Sequence, residues 1–521
     1  MPDATTEPLP SGAQRTAHSA PRQSPPDLPR KVGFWGAIAV LVGVVIGSGI
    51  FKTPTAIAQH LGDPWVILAF WLGAGLIALC GALTFAELAS RFPRSGGIYV
   101  FIREGFGPCP AFVFGWTYML ITKPAAAAGI SIIFAEHFNT LTGLSWNPQL
   151  LTCAALVALT LINVLGVRGS ARFAMALTGF KYSALVGIVV MGVWAAFKAP
   201  TGEPVGFVSV PAPGSLFSAL VPVMAAIMWT YDGWSDVGAI AGEVKEPRRN
   251  LPRVYIIGTL SVIALYLLVN AVYLWHIPLP EMAKAETVAP LLMDKLIGPA
   301  GAAAVAFIII VSTLGSSHAS VMTGARVTFA QARDGLLFRF LSRVHPRYET
   351  PAVALWVQCA LSCTAVLVLE EFANLAGTFV FTMWIFYGMG AVALFVIRRR
   401  EATGQSAGHS TTSHEQRARS VSDGSDGPPL APVLPDPLAD ARGSLAERFD
   451  GADAGPPSIG ESTFEVPGYP LVPLIFIAAS AGMTVLSILH DPKTTLIWVG
   501  VLSAGVPVFF AWRRMVPQSD P

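Results

Sequence analysis

At 521 residues, the chain is 53% hydrophobic and 13% charged, with a mean hydropathy of +0.57. A soluble domain carries about 25% charged residues, so a single aqueous core is excluded and a polytopic membrane protein buried in the lipid bilayer remains. The net charge of +2 gives no basis for nucleic-acid binding, and five scattered cysteines (Cys80, Cys109, Cys153, Cys359, Cys363) form no CxxC pair or Cys/His cluster, so neither a metal site nor a cofactor is expected.

Residues 1–30 are rich in Pro, Ser and Thr and lack the apolar core of a signal peptide. They read as a disordered cytosolic tail. The first apolar segment then carries Gly43-Val44-Val45-Ile46-Gly47-Ser48-Gly49-Ile50-Phe51, with Pro54 close behind. Glycine and proline are poor helix residues, so a spanning helix is expected to break here. An unwound backbone persists in hydrocarbon only where protein or a polar cavity satisfies its N–H and C=O groups. The freed groups are therefore candidates for holding a ligand, with a half-helix N-terminus meeting an anionic group such as a carboxylate. Close helix packing through small residues is the alternative.

A helix needs about 20 apolar residues to cross a bilayer. Twelve candidate spans follow, near 33–57, 65–91, 108–137, 149–166, 172–197, 215–242, 253–275, 299–328, 351–369, 373–397, 470–489 and 493–512. Arg91, Arg94 and Arg103 follow the second span, Arg168 and Arg172 the fourth, and Lys245, Arg248, Arg249 and Arg253 the sixth. Arg333, Arg339, Arg343 and Arg347 follow the eighth, and Arg398, Arg399 and Arg400 the tenth. The positive-inside rule then places both termini in the cytoplasm. Residues 31–397 form a core of ten spans, and 469–513 hold the last two, before a short cytosolic tail at 514–521. Between them, 398–468 form a cytosolic insert whose stretch 401–466 is rich in Ser, Gly, Pro, Asp and Ala, with Phe449 and Phe464 as its aromatics. Such a stretch cannot bury enough apolar surface to fold alone, and it reads as a disordered linker.

Span six contains a second interruption, Met228-Trp229-Thr230-Tyr231-Asp232-Gly233-Trp234-Ser235. An acid deep in an apolar helix is expensive and points to function. Spans one and six open two five-span halves of opposite topology, and paired interruptions of that kind point to a substrate site at the bilayer midplane.

Gly47-Ser48-Gly49-Ile50-Phe51 resembles the first-helix motif of the amino acid–polyamine–organocation superfamily. Phe85-Ala86-Glu87-Leu88, Pro93-Arg94-Ser95-Gly96-Gly97-Ile98-Tyr99 and Glu104-Gly105-Phe106-Gly107-Pro108 resemble its second helix and the following loop. Trp229-Thr230-Tyr231-Asp232-Gly233-Trp234, Gly242-Glu243, Glu246-Pro247 and Arg249-Asn250-Leu251-Pro252 resemble the L-amino-acid transporter branch. The resemblance covers about residues 33–397. It implies an all-α, LeuT-type fold of five plus five inverted-repeat helices, with twelve transmembrane helices and broken helices one and six. It also implies a secondary transporter that moves L-amino acids across the cell membrane by alternating access.

Carried over by position, the resemblance implies a substrate-binding set of Val45, Ile46, Gly47, Ser48, Gly49, Ile50, Trp229, Asp232, Gly233 and Ser235. The N–H groups of Ser48, Gly49 and Ile50 would bind the substrate carboxylate, and the carbonyls of Val45, Trp229 and Asp232 would accept from its ammonium. Trp229 matches an aromatic gate, with an interfacial or packing tryptophan as the alternative. Lys181 lies about 14 Å along span five from Arg172, at 1.5 Å per residue. In sodium-independent relatives a lysine here stands in for a sodium ion, and a snorkelling side chain is the alternative. Asp232 resembles branch members that handle cationic amino acids, or caps unwound backbone, and Ser235 replaces an asparagine common in the branch. His318 is compatible with proton relay or pocket lining, and equally with helix packing. Glu87 and Glu243, beside Arg91, Arg94 and Arg248, read as inner-gate or structural ion pairs, and Lys123-Pro124 and Glu136 as kink and cap features. Residues 138–148 contain no cysteine, so no disulfide-linked heavy chain is expected.

The function expected is sodium-independent amino-acid exchange or permeation. A proton-coupled symporter or a polyamine or amine antiporter is the variant, and a membrane sensor signalling through 401–466 is the competing class. An enzyme is not expected, because no paired catalytic constellation, phosphate loop or metal spacing occurs.

Overall fold

The computed structural model describes residues 28–198, 206–212, 214–369, 372–403, 463–490 and 492–515. Most of the predicted N-terminal tail (1–27), of the insert (404–462) and of the C-terminal tail (516–521) lies outside them. The described chain is helical, and helices stand at each of the twelve apolar stretches. Among the described residues, nine are long and apolar enough to cross a membrane, and Pro148–Val164 and Ala352–Val368 are shorter apolar helices. Large apolar side chains such as Phe197, Phe217, Leu489 and Leu496 are exposed, as lipid-facing surfaces require. The protein is a multi-pass membrane protein.

The first apolar stretch forms two helices, α1 (Phe34–Val45) and α2 (Gly49–Ala58). Ile46 leaves helical geometry at ψ 84°, and Gly47 N–H turns back to the Val45 carbonyl at 2.9 Å. Asp63 then caps α3 (Pro64–Arg91), accepting from the N–H groups of Trp65 and Val66 at 2.8 and 3.0 Å, with Pro64 at the first helical position. A hydrogen bond from Ser209 and those of the cap hold the Asp63 carboxyl below the usual carboxylate range.

After α4 (Ile98–Phe106) and α5 (Pro108–Thr117), one π-helical turn, Tyr118–Thr122, leads into α6 (Lys123–Thr142). The turn shifts the register of α6, so Lys123 points into the protein. Helices α7 (Pro148–Val164) and α8 (Val167–Lys198) complete the first half.

Helix α9 (Leu216–Tyr231) stops at Asp232, which is extended at ψ 157°, and Gly233 follows with φ 108°. That φ favours glycine, and a Cβ on Gly233 would stand 2.5 Å from Val44 Cγ1. The chain resumes as a tight 3-10 stretch, Trp234–Glu243, and then α10 (Pro247–His276), α11 (Leu279–Met282), α12 (Val288–Ile297) and the long α13 (Pro299–Arg333). Among the described residues, a 3-10 turn (Arg339–Ser342) and then four α-helices follow: α14 (Ala352–Leu369), α15 (Phe372–Ala402), α16 (Leu471–His490) and α17 (Pro492–Met515).

Helix α3 packs on α10, α6 on α13, and α1 on both α8 and α10. Small residues permit the close approaches: a Cβ on Gly43 would lie 2.5 Å from Thr178 Oγ1, and one on Gly258 2.8 Å from Leu41 Cδ2. The first break is thereby held between α8, α10 and α13, facing the second.

Candidate functional site

The two breaks meet at a cavity. Val44, Val45, Gly47, Ser48 and Gly49 line it from the first break, and Trp229, Thr230 and Asp232 from the second. Lys123, Ala126 and Ile130 of α6 and Ser320 of α13 close the remaining sides. Trp229 and Asp232 are half-buried there.

Ser48 sits at the N-cap of α2, so the N–H groups of Ser48, Gly49 and Ile50 open a half-helix whose first turn lacks intrahelical acceptors. The positive end of the helix dipole lies at the same place. Two hydroxyls on the cavity wall, Ser48 Oγ and Ser320 Oγ, are buried and have no hydrogen-bond partner among the described residues. Buried polar atoms are rarely left so, and both hydroxyls are available to a polar ligand in the cavity.

The carbonyls freed at the first break are held from below. Lys181 is fully buried, and its ammonium donates to the carbonyls of Gly43 and Ile46, both at 2.5 Å, and to Ser316 Oγ at 2.9 Å. Ser316 donates to the same two carbonyls at 2.8 and 2.9 Å, and Ser312 approaches the Ile46 and Gly47 carbonyls at 3.3 and 3.4 Å. One cation and two hydroxyls from α8 and α13 thus satisfy backbone that hydrocarbon would not tolerate. The Val45 carbonyl accepts from Tyr266 at 2.9 Å and the Trp229 carbonyl from the Asp232 N–H at 3.2 Å. The Val45 carbonyl also accepts from the Gly47 N–H at 2.9 Å, so both of its lone pairs are engaged.

Other sequence-derived candidates have settled partners. Asp232 Oδ1 accepts from Tyr387 of α15 at 2.6 Å, and Ser235 lies 3.0 Å from the same phenol. Ser235 is not among the cavity-lining residues and reaches Asp232 only through Tyr387. His318 lies away from the cavity, where α13 meets α7 and α8: Asn163 Nδ2 is 3.2 Å from its Nδ1, Ser170 Oγ is 3.0 Å from its Nε2, and the Phe173 ring packs edge-on at 5.0 Å. These contacts seat His318 in a helix interface. Gly49 is kept small by protein as well as by any ligand, since a Cβ there would stand 2.6 Å from Thr230 Oγ1.

On the side read as cytosolic, Glu87 accepts from Arg91 at 2.9 Å, Arg398 at 2.6 Å and the Val466 N–H at 2.7 Å. Glu243 pairs with Arg326 of α13 at 2.8 Å.

Sequence reasoning passed over an ion pair beside the cavity. Lys123, assigned to a kink, binds Asp236 of the 3-10 stretch. Thr323 of α13 also donates to that carboxylate at 2.9 Å. The readable signal was an ionisable residue in each of two apolar spans, with Asp236 four residues beyond Asp232. Its pairing was not readable, because 113 residues separate the partners.

The sequence model described as amino acid permease matches residues 32–409. The serine/threonine exchanger SteT of Bacillus subtilis (strain 168) is 31% identical over 414 residues, covering 78% of this chain and 88% of that protein. The b(0,+)-type amino acid transporter 1 of Mus musculus is 29% identical over 74% of this chain and 79% of its own. The cystine/glutamate transporter of Homo sapiens is 30% identical over 73% and 76%. Among solved structures, the nucleobase-cation-symport-1 family transporter Mhp1, in a closed conformation with bromovinylhydantoin bound, matches with a TM-score of 0.53. It covers 93% of this chain and 99% of that one at 14% identity, which makes the fold LeuT-like. A family match that runs through both helix breaks and every wall of the cavity leaves one assignment: the chain belongs to the amino acid permease family.

Proposed function

We propose that this protein is a secondary transporter that moves L-amino acids by alternating access, as a sodium-independent exchanger or permease. It would cross the cell membrane twelve times with both termini in the cytoplasm, and work without a disulfide-linked heavy chain. The observation that carries the reading is the pairing of the two helix breaks across one cavity. There the N-terminal amides of α2 and the Ser48 hydroxyl face the same space as the Asp232 end of α9.

A zwitterion suits this arrangement. Its carboxylate meets amides at a helix N-terminus, and its ammonium meets carbonyls at the end of α9, so little net charge is buried. Trp229 lines the cavity beside the break, which supports a role as a cover over bound substrate. Lys181, with its ammonium on the Gly43 and Ile46 carbonyls, takes the electrostatic place of a sodium ion.

The relatives by name include a serine/threonine exchanger and a cystine/glutamate transporter, so the reading extends to substrate class only through the cavity itself. Counterflow of a labelled amino-acid panel in proteoliposomes, with and without a pH gradient, tests it. Accumulation against an internal unlabelled amino acid supports exchange, and uptake driven by an inward proton gradient alone would turn the assignment to symport. No counterflow with any amino acid would overturn transport.

A further inference from the structure

The cavity carries a charged side chain that the zwitterion does not need. Lys123 lines it from α6, while its ammonium is bound by Asp236, which is not among the cavity-lining residues. Both groups are buried, at 2% and 5% exposure. Thr323 donates to Asp236 at 2.9 Å from α13, Tyr118 OH lies 3.5 Å from its other oxygen, and the Lys123 ammonium stands 5.7 Å from the Tyr118 ring. Three elements therefore hold one carboxylate against the ammonium of a cavity-lining lysine. The π-helical turn Tyr118–Thr122, immediately before Lys123, aims it there; such turns recur at functional sites.

We propose that Asp236 masks Lys123 and thereby sets the charge selectivity of the cavity: with the pair intact, amino acids with acidic side chains are rejected. The inference rests on the transport reading. A bare ammonium at this wall would attract a substrate side-chain carboxylate across a short, poorly screened distance. With Asp236 in place that attraction is cancelled, and Asp232 remains on the wall as a second, repelling carboxylate. Ser320, unpartnered and also on the wall, offers a hydroxyl to a neutral polar side chain. Specificity is a difference between affinities, and here one buried acid behind the wall changes the sign of that difference.

The test is competition against labelled alanine uptake in proteoliposomes, with unlabelled serine, glutamate and lysine as competitors. Wild type is expected to respond to serine and not to glutamate. Asp236→Asn unmasks the ammonium, and glutamate should compete at least about tenfold better relative to serine. Lys123→Gln added to Asp236→Asn should remove that gain. Lys123→Met alone should act in the opposite direction and favour lysine. Because removing one partner of a buried pair destabilises a protein, whichever single variant gives monodisperse protein decides. Strong competition by glutamate in wild type overturns the proposal, as does an unchanged glutamate-to-serine ratio in folded Asp236→Asn. A glutamate gain that survives in the double variant overturns it too. If neither single variant folds while the neutral double variant does, the pair is a strut and the proposal also fails. Absence of alanine uptake by wild type would instead strike the transport reading.

Discussion

Thr230 closes directly on Gly49: a Cβ built on Gly49 would stand 2.6 Å from Thr230 Oγ1 and 3.0 Å from Thr230 Cα. Thr230 has little freedom to yield, since its hydroxyl is 2.6 Å from Thr53 Oγ1 and donates to the Ala226 carbonyl at 2.9 Å. Gly49→Val should therefore abolish uptake, and so should Gly49→Ala, through a clash between the two breaks. Gly47 differs, because a Cβ there meets Ser316 Oγ at an ordinary 3.5 Å. Gly47→Ala should fold normally and report on the ligand alone. Thermal stability and uptake measured side by side separate the two positions; full uptake by Gly49→Ala would show that the breaks yield.

Lys181 carries the second prediction. Its ammonium holds the carbonyls of Gly43 and Ile46 at 2.5 Å, and under the proposed function this replaces a bound sodium ion. Uptake should be unchanged when choline replaces sodium, and Lys181→Met should lower it by at least about tenfold, given the strength of charged hydrogen bonds. A steep dependence on external sodium in wild type would remove this assignment.

The described residues at the two ends of the insert between α15 and α16 are anchored to the helix bundle. Arg91 binds both Glu87 and Glu401, Val466 donates to Glu87, and the Arg398 guanidinium lies 4.0 Å from the centre of the Tyr469 ring. Replacing 404–462 by a short flexible linker should leave transport intact. Removing 401–466 also takes away Glu401 and Val466, and should weaken the closure of this end. Comparing the two deletions for uptake and membrane abundance checks the division; equal loss in both would make the excised segment necessary.

Arg326 and Glu243 are each about 1% exposed and share two hydrogen bonds. Breaking a buried pair from one side strands a charge and costs about 3–5 kcal/mol. Arg326→Leu should thus lower the thermal midpoint far more than Arg249→Leu, whose ion pair with Glu246 is exposed and contributes about 0–1 kcal/mol. Similar midpoints for the two variants would contradict the burial argument.

Asp232 reaches the cavity from the end of α9 while Tyr387 holds one of its oxygens. Two like charges about 4 Å apart at an effective dielectric near 20 repel by roughly 4 kcal/mol, more than most side-chain packing gains. Asp232→Asn should weaken uptake of arginine and lysine more than that of alanine and serine. Identical competition panels in both proteins would reduce Asp232 to a cap on unwound backbone, which its bond to Tyr387 also allows.

What the sequence determined by itself was local. Apolar stretches long enough for the bilayer, glycines where a helix must stop, and arginines between spans are properties of neighbouring residues, and hydrocarbon punishes a wrong local choice heavily. The breaks at Gly47–Gly49 and Asp232–Gly233 were readable for that reason, and Lys181 because a cation that far into an apolar helix needs acceptors. Tertiary structure alone decided which partners the buried charges took. Lys123 and Asp236, Arg326 and Glu243, and Glu87 and Val466 are 113, 83 and 379 residues apart. No periodicity encodes such pairings, because they depend on how α6, α13 and the 3-10 stretch after Gly233 cross in space. The same holds for His318: its residue type suits a relay and a packing contact alike, and only the arrival of Asn163 and Ser170 at its ring placed it in the helix interface.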